Sequence, residues 1–66
     1  MDSKIIGGRL ISLRGNRPQE IVANEVGISV SALSMYEQGN RIPRDEIKIK
    51  LAKYYGKTVQ EIFFAS

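Results

Sequence analysis

The chain predicts an all-α fold, a compact bundle of about five short helices, and three observations carry that prediction. Apolar residues recur at helical spacing in five separate stretches of the 66 residues. Glycine, proline and capping residues fall between those stretches, where helices should stop and start. The connections are brief, with no repeat, low-complexity tract or internal linker, so residues 1–66 read as a single domain. A chain of this length buries only about 60% of its unfolded surface. Its core is therefore marginal and depends on tight helix packing or on dimerisation.

The first helix is expected from Ser3 to Arg14, with Ile6, Leu10 and Leu13 sharing a face. Gly7 and Gly8 conflict locally with that expectation, since each glycine costs roughly 1 kcal/mol relative to alanine in a helix interior. Fraying up to Arg9 is expected, and Gly15 is placed to end the helix. The second helix starts near Pro18, which is tolerated at a first helical position. Val22 and Val26 face inward, and Ala23 between them allows close helix approach.

Gln19 to Gly39 reads as two short helices joined by one tight turn. Gly27 suits the left-handed conformation just past a helix end. Ser29 can N-cap the next helix, and Ile28 and Leu33 are spaced as a hydrophobic staple. Together these residues make a helix-turn-helix, whose second helix usually lies in the DNA major groove. On that helix Ala32, Leu33 and Tyr36 share one arc, with Val30, Ser31, Ser34 and Met35 opposite. No charged residue occurs from Val26 to Tyr36. Such a neutral face can approach phosphate-rich DNA closely, or meet a protein partner.

A fourth helix follows Pro43. Asp45 and Glu46 in its first turn and Lys53 near its end suit the macrodipole. Ile47, Leu51, Tyr54 and Tyr55 form its stripe, and Ile49 points away. The last helix opens on a Thr58–Glu61 capping box and carries Val59, Ile62 and Phe63.

The chain resembles the phage repressor and Cro-like (XRE) family of small bacterial DNA-binding regulators. The resemblance runs through Ile6-Gly7-Gly8-Arg9-Leu10, Leu13-Arg14, Gln19-Glu20, Val22-Ala23 and Val26-Gly27-Ile28-Ser29. It continues in Leu33-Ser34 and in the dense run from Tyr36 to Pro43. It closes with Leu51 to Gly56 and Thr58 to Phe63, without insertions. It implies a lambda-repressor-like DNA-binding domain, and it departs at Gly8 and at Pro18, where the family more often has a hydroxyl cap.

By that resemblance the base-facing side chains are Val30, Ser31, Ser34 and Met35. None is an Arg for guanine or an Asn or Gln for adenine, so the strongest bidentate readouts are missing. Val30 and Met35 suit thymine methyl groups, which points to A·T pairs in each half-site. The phosphate candidates are Gln19 with the amides that open helix two, then Arg41 and Arg44 with the backbone around Asn40, then Arg17. The competing reading makes these arginines ordinary solvated loop charges. Lys48, Lys50, Lys53 and Lys57 are expected to solubilise the far side. Arg14 and Glu37 match family positions that form a structural ion pair between helix one and the end of the recognition helix.

The formal net charge of +3 and a pI near 9.5 suit an anionic partner without naming one. Cysteine and histidine are both absent, which removes the commonest nucleophile–base pairs and zinc sites. The chain is read as a non-enzyme with no cofactor, no metal and no small-molecule ligand. No membrane span or signal-like segment is evident, and a cytoplasmic location is expected.

The expected function is sequence-specific binding of double-stranded DNA, as a repressor on a palindromic operator. One module reads few base pairs, so a homodimer is expected, with two half-sites about one helical turn apart. Either Phe63 or Phe64 belongs to the dimer contact, or the C-terminal aromatics fold onto their own subunit. No separate effector or self-cleaving domain is expected. A protein-interaction module of the same fold, an antitoxin or an adaptor, is the alternative.

Overall fold

Helix boundaries in the computed structural model, which describes residues 2–65, sit where the chain can satisfy the exposed backbone groups. Helix α1 spans Ser3–Arg14, α2 Gln19–Val26, α3 Val30–Glu37 and α4 Asp45–Tyr55, and a π-helical turn covers Gln60–Phe64. The described residues contain no strand, and the fold is all-α.

At the start of α1 the Asp2 carboxylate accepts from the Lys4 and Ile5 amides at 2.9 and 3.3 Å. This cap, together with packing, keeps α1 helical through Gly7 and Gly8, so the expected fraying up to Arg9 does not occur. Gly7 has a packing role, because its missing Cβ lets α1 lie directly on the last turn of α3. At the end of α1 the Gly15 amide donates to the Ile11 carbonyl.

Pro18 occupies the cap position before α2 with extended backbone angles, so α2 begins at Gln19, one residue later than expected. Gly27 ends α2 at φ 89°, in the left-handed region that L side chains rarely adopt. Its amide and that of Ile28 both donate to the Ala23 carbonyl at 2.9 Å. Ser29 then accepts from the Ala32 amide at 3.0 Å and starts α3. Ile28 packs against the core that contains Leu33.

That core joins Ile6 and Leu10 of α1, Val22, Ala23 and Val26 of α2, and Leu33 and Tyr36 of α3. Ile47, Leu51 and Ala52 of α4 and Ile62 and Phe63 complete it. Burying large apolar side chains contributes about 1.5–3 kcal/mol each, so this shared cluster sets where α3 sits.

The expected last helix is one π turn, with the Ala65 amide donating to the Gln60 carbonyl at 2.8 Å. Its capping box is intact: Thr58 N donates to Glu61 Oε1 at 2.9 Å and Glu61 N to Thr58 Oγ1 at 3.1 Å. Arg9 reaches across from α1 and donates to the Ile62 and Ala65 carbonyls at 2.8 and 2.7 Å. The widened turn thereby gains partners for carbonyls that an ordinary helix end leaves open. Phe63 is buried in the core, which removes it from any dimer contact, whereas Phe64 and Ile49 stay exposed. Lys48 is buried too, contrary to its expected solubilising role. Its stem lies among apolar groups, with the ammonium 5.1 Å from the Phe64 ring centroid and 3.5 Å from Asp45.

Candidate nucleic-acid interface

Leu33 and Tyr36 anchor α3 by one face, which turns Val30, Ser31, Ser34 and Met35 toward the other side of the helix. Val30 is 41% exposed and Met35 37%, and Ser31 is exposed beside them. Ser34 is half-buried at the edge of the same face. A short, uncharged surface with two apolar side chains in water suits a close-fitting partner surface.

Two cations flank that surface. Arg41 and Arg44 are exposed and line one groove with Ser29, Ala32 and Tyr36. Neither belongs to an ion pair or side-chain hydrogen bond among the described residues. Asn40 is fixed by its amide donating to the Met35 carbonyl at 3.0 Å. Its side chain donates to Gln38 Oε1 at 3.1 Å, and Gln38 Nε2 donates to Ser34 Oγ at 3.0 Å. Gln38 was not singled out in the sequence, although its four-residue spacing from Ser34 is that of neighbours on a helix surface.

The remaining phosphate candidates are placed differently. Gln19 turns its side-chain amide inward, Nε2 donating to Glu37 Oε1 at 2.8 Å. Its side chain is therefore a brace between α2 and α3, which corrects the expectation of an outward phosphate contact through that group. The backbone amides that open α2 have no side-chain cap at Pro18 and remain available. Arg17 is also spent internally. Its guanidinium donates to the Leu13 and Arg14 carbonyls at 2.8 and 3.2 Å and to Tyr54 Oη at 3.3 Å. It lies 5.3 Å from both the Tyr54 and Tyr55 ring centroids. Arg17 is thus a clasp between α1 and α4, its guanidinium already partnered within the protein, unlike those of Arg41 and Arg44.

Tyr54 in turn donates to the Glu25 carboxylate, which holds its phenol protonated above the ordinary range. Burial raises the neighbouring Tyr55 phenol in the same direction.

Arg14 and Glu37 meet as a two-pronged pair, Nε to Oε2 at 2.7 Å and Nη2 to Oε1 at 3.0 Å. The Glu37 side chain is 2% exposed and that of Arg14 19%. The hydrogen bond to Glu37 raises the Arg14 pKa further, opposed by burial. A third Arg14 donor holds the Arg17 carbonyl at 2.7 Å. Glu37 thus accepts from α1 and α2 while ending α3, and fixes the three helices together.

No cluster of three or more metal-ligating side chains occurs among the described residues. No helix is long and apolar enough to cross a membrane among them.

A short capped helix held by its apolar face, with a neutral outer face flanked by free arginines, defines a helix-turn-helix module. The chain belongs to the Helix-turn-helix family, whose model matches residues 12–62, in its phage repressor and Cro-like branch of transcriptional regulators. It is similar to the cryptic phage CTXphi transcriptional repressor RstR of Vibrio cholerae, with 41% identity over 44 residues. That alignment covers 67% of this chain and 40% of the relative, so the chain spans well under two thirds of its length. No solved structure matches the chain.

Proposed function

We propose that the chain is a transcriptional repressor that binds a palindromic operator as a homodimer, placing α3 of each subunit in the major groove. The exposed pair Val30 and Met35 on a core-anchored helix carries this reading. Exposed apolar side chains on a face without acids suit thymine methyl groups and the narrow clearance of a groove. Ser31 and Ser34 add hydrogen bonds to base edges. Arg41, Arg44, the Asn40 backbone and the amides opening α2 supply the phosphate contacts that set register. Dimerisation follows from the recognition arithmetic, since one module discriminates too few base pairs.

Selected-site enrichment on the purified protein, with sedimentation for its oligomeric state, tests the reading. The expected product is a two-fold site with A·T pairs in each half. Val30→Gln should change preference at one or two positions per half-site, because glutamine reads adenine. An antitoxin or adaptor would instead give no enrichment at low salt and would retain one stoichiometric protein partner in a pulldown. That outcome would replace the DNA reading.

A further inference from the structure

We infer that Gln38 and Asn40 set the hydrogen-bonding sense of Ser34, making its hydroxyl a donor toward the groove. The inference deepens the operator-binding reading and rests on it. The chain of bonds has one direction: Asn40 Nδ2 donates to Gln38 Oε1, and Gln38 Nε2 donates to Ser34 Oγ. Donation from Asn40 orients the Gln38 amide with its oxygen toward Asn40, so its nitrogen faces Ser34. A serine hydroxyl has one proton and two lone pairs. With one lone pair taken by Gln38, and no acceptor for its proton among the described hydrogen bonds, Ser34 directs that proton outward.

A serine free to rotate serves either donors or acceptors and so discriminates little. A serine polarised in this way does not. In the major groove guanine shows N7 and O6, adenine N7 and thymine O4, all acceptors, whereas cytosine shows only its N4 donor. Ser34 therefore selects against cytosine at the base it faces. Gln38 touches no base in this scheme and acts as a positioning residue for Ser34.

Selected-site enrichment on the intact protein, Ser34→Ala, Gln38→Glu and Gln38→Met tests this. The position that changes in Ser34→Ala is the one Ser34 reads. There the parent should deplete cytosine roughly three- to tenfold, the worth of one neutral hydrogen bond. Gln38→Met should flatten that preference, since the hydroxyl regains rotation. Gln38→Glu should reverse it toward cytosine or adenine, because a carboxylate only accepts and draws the Ser34 proton inward. The added charge lowers overall affinity, so base preference rather than affinity is the readout. Three results overturn the inference. The parent could enrich cytosine at that position, which would mean that both amides run the other way. The Gln38 variants could keep the parent preference. Ser34→Ala could change no position within an otherwise enriched site. A parent that enriches no site at all defeats the operator reading itself and is distinguishable from all three.

Discussion

Gly7 of α1 lies against the main chain of Glu37 at the end of α3, so close that a Cβ there would stand 2.3 Å from the Glu37 carbonyl oxygen. Arg14, two turns further along α1, grips the Glu37 side chain. One helix thus holds both the backbone and the carboxylate of the residue that ends α3. The orientation of α3 is consequently a property of α1 as much as of the helix-turn-helix itself.

Alanine substitution of adjacent glycines should therefore act in opposite directions. Gly7→Ala forces backbone against backbone and should destabilise by about 1–3 kcal/mol, the usual range for overpacking. At Gly8 a Cβ would meet nothing within 4 Å. Gly8→Ala should stabilise by about 0.5–1 kcal/mol through helix propensity. Urea denaturation followed by circular dichroism separates the two, and equal effects would refute the close approach.

Removing Arg14 should be costly because it leaves a carboxylate that is 2% exposed with, among the described residues, only Gln19 as a side-chain donor. Breaking a buried pair costs about 3–5 kcal/mol, and the partial exposure of Arg14 places this one near the lower end. In a domain of this size that corresponds to a fall in Tm of about 12 °C or more. Arg14→Ala with Glu37→Gln should recover part of the loss, since the stranded charge is then gone. A double variant no more stable than Arg14→Ala would argue against the charge as the cause.

The helices and core were legible because their signals are local. Gly27, Ser29 and the Thr58–Glu61 box each act within four residues, and Ile6, Leu10, Leu33 and Leu51 declare a face by spacing alone. Illegible were the long side chains whose partners lie far along the chain. Arg9 meets carbonyls 53 and 56 residues away, and Arg17 finds Tyr54 at 37. Nothing in their neighbourhoods distinguishes such arginines from phosphate ligands. Lys48 looked solvated for the same reason, its aromatic cover coming from the C-terminal turn. Gln19 was placed at the correct helix end but aimed outward, because the attraction of Glu37 exists only once α3 is docked.

Acid should loosen the C-terminal turn first. The Thr58 amide and hydroxyl hold the Glu61 carboxyl below its ordinary value of 4.5. A depressed folded pKa contributes stability that is present above 4.5 and lost as pH falls through the folded value. Glu61→Gln, which removes the titrating carboxyl while keeping an oxygen that can accept from the Thr58 amide, should abolish that share of the acid dependence and lower Tm by a few degrees at neutral pH. Thermal melts of parent and variant across the acid range should converge as pH falls. Parallel curves would remove Glu61 from the account.

Arg41 and Arg17 offer the sharpest contrast between a residue proposed to bind DNA and one that builds the protein. Arg41 is exposed beside the α3 groove, without an ion pair among the described residues. On the proposed function Arg41→Ala should reduce the slope of log affinity against log salt by about 1, with Tm unchanged. Arg17 bonds two carbonyls and a phenol and lies over two tyrosine rings. Arg17→Ala should lower Tm and leave the salt slope at its parent value wherever the protein remains folded. Titrations on one selected operator at several salt concentrations, paired with thermal melts, measure both quantities on the same samples. If Arg17→Ala shifted the slope as far as Arg41→Ala, its guanidinium would have to leave the tyrosines on binding, and the clasp would be a property of the free protein alone.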